Sequence, residues 1–116
     1  MDGENSSLLH VAANSNNYEM AEFYLNGYDK MIKAHPEKYS FEKKAKWLQM
    51  KDNEGFSCLH YSVFRGNFKM AQLFEKNGAD IYQINHQGLT VVHIAAQGDS
   101  PLLMVLSFSL LVLLPQ

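Results

Sequence analysis

The chain has 116 residues, of which 47% are hydrophobic and 19% charged, with a formal net charge of -2. That length allows one domain with a small core; the composition excludes wholesale disorder, and the charge excludes bulk attraction to nucleic acid. The one cysteine, Cys58, excludes an internal disulfide, which suits a reducing compartment.

The first stretch, MDGENSSLLHVAANSNN, is acidic and has no long apolar run, so no secretory signal is expected and the chain reads as cytoplasmic. Ser7 is placed to cap a helix carrying Leu9, His10, Ala12 and Ala13. Asn16 is placed to end it in the left-handed region, which asparagine tolerates. A second helix follows, with Met20, Ala21, Phe23 and Tyr24 spaced for one apolar face. Tyr28, Met31 and Ile32 continue that face, so the helix is expected to reach about Ala34. His35-Pro36 then breaks it, because the residue before proline avoids the helical region.

From Asn26 to Lys51, seven lysines (Lys30, Lys33, Lys38, Lys43, Lys44, Lys46, Lys51) face Asp29, Glu37 and Glu42. The segment is therefore +4 in a chain of -2, and the remainder carries -6. Ser40 is placed to cap a helix over Phe41 to Met50, with Phe41, Ala45 and Leu48 at i, i+4, i+7 and Trp47 at the edge of that face. The lysines fall largely on the other side. The plain reading is a solvated face, and the sharper one is a docking patch for acidic lipid or protein. No groove-reading motif or aromatic RNA signature accompanies them, so nucleic acid is not expected as a partner.

In GFSCLHYSVFRGN, Cys58 stands two residues before His60. A thiol beside an imidazole has the makings of a nucleophile with its base, or of two metal ligands. The stretch recurs, however, as GLTVVHIAAQGDS, at an offset of 33 residues that pairs Gly55 with Gly88, Ser57 with Thr90, Leu59 with Val92 and His60 with His93. Asp52 pairs with Asn85 at the same offset. A third copy, NSSLLHVAANSNN, places Ser7, Leu9 and His10 in these positions once a 17-residue insertion is allowed for. Cys58 is then matched by Leu8 and Val91, and a position that takes leucine or valine is not a nucleophile. His10, His60 and His93 recur once per repeat, about 8–10 Å apart if one helix spacing separates them, too far to share a metal ion. No catalytic, metal or cofactor residue is assigned.

Ser57 and Thr90 can cap helices, and the histidine three residues later can return a hydrogen bond in the manner of a capping box. Gly66 ends the first helix of the middle repeat. Met70, Ala71, Leu73 and Phe74 form the next apolar face, Asn77-Gly78 closes that helix, and Ala79 to Gly88 forms a projecting finger. In the last copy Gly98 comes one place early, Asp99 takes the usual glycine position, and Ser100-Pro101 reads as a cap and first helical residue. Residues 102–114 of PLLMVLSFSLLVLLPQ carry no charge, and only Ser107 and Ser109 are polar. Thirteen helical residues span about 20 Å, short of the roughly 30 Å hydrocarbon core. This uncapped apolar end leaves three readings: membrane association, self-association, or a truncated or altered C-terminus.

A 33-residue unit carrying G-x-[ST]-x-[LV]-H, with NGAD at Asn77 to Asp80, resembles the ankyrin repeat, whose signature is G-x-T-P-L-H-x-A-A. The resemblance implies an all-α ankyrin-repeat solenoid of about three helix-turn-helix repeats, with β-hairpin-like fingers and a helical insertion after the first repeat. The expected units are residues 1–25, a basic helical insertion over 26–51, and repeats over 52–84 and 85–116. The repeat motif is carried by Ser7, Leu9, His10, Gly55, Ser57, Leu59, His60, Gly66, Gly78, Gly88, Thr90, Val92 and His93. Ankyrin repeats bind proteins through the fingers and the exposed side of the first helices. By position this implies a protein partner at Tyr61, Phe64, Arg65, His86, Gln87 and Gln97, with Tyr61 and Arg65 as the preferred anchors. EGFSCLHYSVFRGN and GLTVVHIAAQGDSPLL also resemble the ankyrin segments of protist DHHC-type palmitoyltransferases. The chain has no Asp-His-His-Cys motif, so that likeness implies at most the recognition portion of such an enzyme.

Overall fold

Six helices make up the regular structure of residues 8–97, the part of the chain that the computed structural model describes. They are α1 (Leu8–Asn14), α2 (Tyr18–Ala34), α3 (Phe41–Leu48), α4 (Cys58–Phe64), α5 (Phe68–Lys76) and α6 (Val91–Gln97). The short helices form one layer, in which α4 packs between α1 and α6. The longer α2 and α5 form a second layer behind α1 and α4, and α3 lies against α2.

Helices of seven residues are too short to stand alone in water. Stacking supplies what propensity does not. Leu9, Ala12 and Ala13 of α1, Leu59 and Val63 of α4, and Val91, Ile94 and Ala95 of α6 are all buried in one core. The outer layer adds Ala21, Leu25, Met70, Ala71 and Phe74, and α3 adds Leu48. The alanines let helix axes approach closely, while each buried leucine contributes about 1.5–3 kcal/mol.

The α1–α2 and α4–α5 connections are two copies of one turn. Asn16 (φ 60°) and Gly66 (φ 72°) adopt the left-handed conformation. The next residue then donates back to the helix it has left, Asn17 N–H to Ala12 O at 2.9 Å and Asn67 N–H to Ser62 O at 2.9 Å. Asn17 and Asn67 also cap the following helices, their side chains accepting from Met20 N–H and Met70 N–H. The two turns are clamped together by Asn67 Nδ2, which donates to Asn16 Oδ1 at 2.7 Å.

Residues 26–51 are joined to the stack by buried polar and aromatic contacts. Helix α2 ends at Ala34, where His35 N–H still reaches Met31 O, and α3 starts at Phe41 with Ser40 accepting from Lys43 N–H. Tyr28 stacks on Trp47, centroids 5.6 Å apart, and meets Tyr39 edge-on. Lys44 is 3% exposed. Its ammonium donates to Asp29 Oδ1 at 2.6 Å and to Asn77 Oδ1 at 2.7 Å, and lies 4.9 Å above the Phe41 ring. Lys44 therefore departs from the expectation that the lysines lie away from the core. Its ion pair and amide contact compensate its burial, and the flanking Lys43 and Lys46 remain exposed. Gly78 (φ 111°) allows a close approach to the same helix, since a Cβ there would sit 2.7 Å from Ala45 Cβ.

Two aromatic residues expected in the core lie elsewhere. Phe23 is 73% exposed, because the buried stripe of α2 runs through Ala21 and Leu25 and Phe23 projects from another side. Phe41 is 54% exposed, covering Lys44 rather than entering the core.

The fingers are turns, with no strand among the described residues. Asp52 Oδ1 accepts from Glu54 N–H and Phe56 N–H, and Asn85 Oδ1 accepts from Gln87 N–H and Leu89 N–H. These paired Asx turns shape consecutive fingers alike. No helix among the described residues is long and apolar enough to cross a membrane. Ser7, the Gly98–Pro101 departure and the tail over 102–114 lie outside the described residues.

Candidate protein-docking surface

The local structure starts with the cap of α4. Ser57 Oγ accepts from His60 N–H at 3.3 Å, and His60 Nδ1 accepts from Ser57 N–H at 3.0 Å. Since Nδ1 is held as an acceptor, Nε2 carries the proton and donates to Gln83 O at 3.2 Å. Burial disfavours the imidazolium and holds the His60 pKa below the ordinary value, with the Gln83 carbonyl opposing in part. Thr90 and His93 repeat the reciprocal cap on α6, at 3.2 and 3.4 Å. His10 Nε2 reaches Phe56 O at 2.8 Å. His10 and His60 thus tie the first helix of one repeat to the loop of the next.

Cys58 and His60 do not form a reactive pair. The thiol is buried and directed at Leu48 O, 3.4 Å away, and burial pushes its pKa up to about 12. Both His60 nitrogens are occupied by backbone and Ser57. Among the described residues, no group of three or more His, Cys, Asp or Glu side chains could hold a metal ion.

What the inner layer offers instead is a shaped surface. The Tyr61 hydroxyl donates to Asp52 Oδ2, and its ring meets His10 edge-on at 5.9 Å and Phe56 at 5.4 Å. Burial alone would raise the Asp52 pKa, but the Tyr61 hydroxyl and the Phe56 and Glu54 amides hold it below the usual carboxylate value. Thus fixed, Tyr61 divides two clefts. One, of about 140 Å³, is lined by Asn14, Phe56, His60, Tyr61 and Phe64. The other, of about 80 Å³, is lined by His10, Val11, Asn14 and Tyr61. Phe64 is 44% exposed and Val11 51%, so apolar carbon faces solvent on α4 and α1 alike. Arg65, the exposed cap of α4, donates from Nη2 to Asn14 Oδ1 at 2.9 Å and sets a positive charge at the rim.

The six positions expected to meet a partner fall into three places. Tyr61 and Phe64 line the larger cleft, and Arg65 bonds to Asn14 in its wall. His86 and Gln87 are exposed on the finger before α6, and Gln97 is exposed at the end of α6. The His86 backbone N–H donates to Glu54 O at 3.3 Å, and Gly55 (φ 86°) is required there because a Cβ would come within 2.5 Å of the His86 ring. Tyr61 is half-buried and tethered, which makes it a wall of the cleft more than a free anchor. Gly88 (φ 78°) closes the finger before α6, and Val92 falls within α6, its side chain lying outside the described part. Val11 and Asn14 are missing from the sequence-based set, although they occupy the first-repeat places of Tyr61 and Phe64. Carrying the repeat register through to the surface positions finds both.

Helix pairs stacked in register, with reciprocal Ser/Thr–His caps and Asx-turn fingers, define a repeat scaffold that presents a surface. A family model described as ankyrin repeats (3 copies) matches residues 9–107, and the chain belongs to that family. Membership implies a protein–protein interaction module. Notch-regulated ankyrin repeat-containing protein A of Danio rerio is 47% identical over 45 residues, 39% of this chain and 40% of that protein. Protein phosphatase 1 regulatory subunit 27 of Homo sapiens is 40% identical over 47 residues, 40% of this chain and 30% of that protein. The chain thus spans well under half the length of these curated relatives. A chain in the crystal structure of the yeast ribosomal protein Rps3 in complex with its chaperone Yar1 shares the fold, with TM-score 0.76 and 20% identity, covering 99% of this chain and 73% of that one.

Proposed function

We propose that the chain is a non-catalytic docking module that seats an apolar side chain of a protein partner in the cleft between α1 and α4. The carrying observation is the cleft of about 140 Å³ walled by Phe56, Tyr61 and Phe64, with Arg65 hydrogen-bonded to Asn14 at its rim. Its volume suits a leucine- or phenylalanine-sized group, and its walls are held by the Tyr61–Asp52 and His60–Ser57 bonds before any partner arrives. His86 and Gln87 on the finger before α6 and Gln97 at the end of α6 supply further polar contacts to the partner, apart from the cleft. A buried thiol and a doubly hydrogen-bonded imidazole support the non-catalytic reading. One buried, unpaired cysteine suits the cytoplasm. The working units remain residues 1–25, 26–51, 52–84 and 85–116.

Phe64→Ala with Arg65→Ala is expected to abolish co-precipitation of the partner that wild type retains, with unchanged helical circular dichroism. Retention by the double variant places docking elsewhere. The alternative, the recognition portion of an ankyrin-containing acyltransferase, uses the same surface and meets the same test. Membrane association and self-association through residues 102–114 rest on residues outside those described.

A further inference from the structure

The lysine-rich insertion is not used by the docking cleft. Six of its lysines, Lys30, Lys33, Lys38, Lys43, Lys46 and Lys51, are exposed. Among the described lysines only Lys44 forms an ion pair with a carboxylate. Of the insertion's own carboxylates, Asp29 is held by Lys44, while Glu37, 3.6 Å from His35, and Glu42 are exposed, so the lysines outnumber the carboxylates left to offset them. Three of the exposed lysines gather at the α2–α3 turn. Lys33 stands in the last turn of α2, Lys38 in the connection, and Lys43 in the first turn of α3 with its ammonium on Lys38 O at 2.8 Å.

Local stability accounts for only some of this. Lys33 and Lys46 sit in last helical turns, where a cation is favoured by the helix dipole. Lys43 sits in a first turn, where the dipole opposes it. A charge placed against a local rule, with no compensating contact beyond one exposed carbonyl, is the kind of departure that function explains. The backbone beneath is tied to the stack by Lys44, through Asp29 and Asn77, and by the Tyr28–Trp47 stack.

The geometry points to the α2–α3 turn, through Lys33, Lys38 and Lys43, as a second docking surface that takes an acidic polypeptide segment. Charge complementarity selects the occupant, since the segment is +4 on a chain otherwise -6. A membrane fits less well: of the two exposed hydrophobic side chains that flank the turn, Met31 is only 38% exposed and the Phe41 ring is held 4.9 Å from the Lys44 ammonium. Strand-like backbone contact is not required, because carboxylates can reach three separate ammonium groups around one turn.

The test titrates the full 116-residue chain with a labelled oligoglutamate peptide, in parallel with phosphatidylserine-containing vesicles and an oligouridylate. Saturable peptide binding is expected, weakened roughly tenfold or more by Lys33→Glu/Lys38→Glu/Lys43→Glu and suppressed by added salt. Lys69→Glu/Lys76→Glu, exposed on α5, is expected to leave it within about twofold. Circular dichroism checks that both variants are folded. Absence of peptide binding, equal weakening by the α5 pair, or lysine-dependent binding to vesicles or oligouridylate in place of the peptide overturns the proposal. None of these outcomes bears on the α1–α4 cleft.

Discussion

His60 shows how one side chain replaces several functions that its sequence neighbourhood advertises. Its Nδ1 accepts from Ser57 N–H only when unprotonated, so the cap of α4 depends on the neutral ring. Its folded pKa lies below the ordinary value because of burial. The unfolded chain therefore takes up the proton first, so this contribution is fully present above an unfolded pKa of about 6.5 and is lost as pH falls below it. Asp52, depressed chiefly by the Tyr61 hydroxyl against the effect of burial, adds a loss at still lower pH of the same sign. Urea denaturation at neutral and mildly acidic pH is expected to show falling stability, and His60→Asn is expected to flatten that slope. Tyr61→Phe, which removes the donor to Asp52, is expected to destabilise by about 1 kcal/mol in the same measurement. A Tyr61→Phe chain as stable as wild type would return Tyr61 to the role of a free interface anchor.

At the scale of helices and turns, the repeat made most of the fold legible. The 33-residue offset identified the equivalent caps, fingers and first helices, and the Asn16–Gly66 pairing identified the turns, because each depends on backbone geometry that few residue types satisfy. Helical periodicity was less reliable where charge and aromaticity mislead. Lys44 looks like a solvated lysine because its partners, Asp29 and Asn77, are 15 and 33 residues distant in sequence. Phe23 looks like core, yet the narrow stripe through Ala21 and Leu25 leaves it outside. The insertion is therefore better understood as a packed layer than as an arm. Asp29→Ala is expected to cost about 1–3 kcal/mol, less than for a wholly buried pair because Asp29 is half exposed and Asn77 still accepts from Lys44. Gly78→Ala is expected to destabilise by at least about 1 kcal/mol through its left-handed φ and the approach of Ala45. Both are read from chemical denaturation midpoints. A loss confined to the local spectrum of Trp47, with the global midpoint unmoved, would mean that the insertion unfolds separately.

For the whole molecule, the sequence located the family, whereas the cleft between α1 and α4 was not legible in it. The six proposed partner positions follow from the repeat resemblance, whereas the grouping of Tyr61 and Phe64 with Asn14 and Val11 required the stack to bring together residues about 50 apart. The proposed function requires that a partner dock at this inner-layer cleft and not on the outer helices. Site-specific photocrosslinking tests it directly, with Phe64→benzoylphenylalanine on α4 and, for comparison, Gln72→benzoylphenylalanine on the exposed side of α5. A discrete crosslinked protein is expected from position 64, absent from position 72 and lost when Arg65→Ala is added. Crosslinking at 72 alone, or adducts of equal yield at both positions, would contradict it.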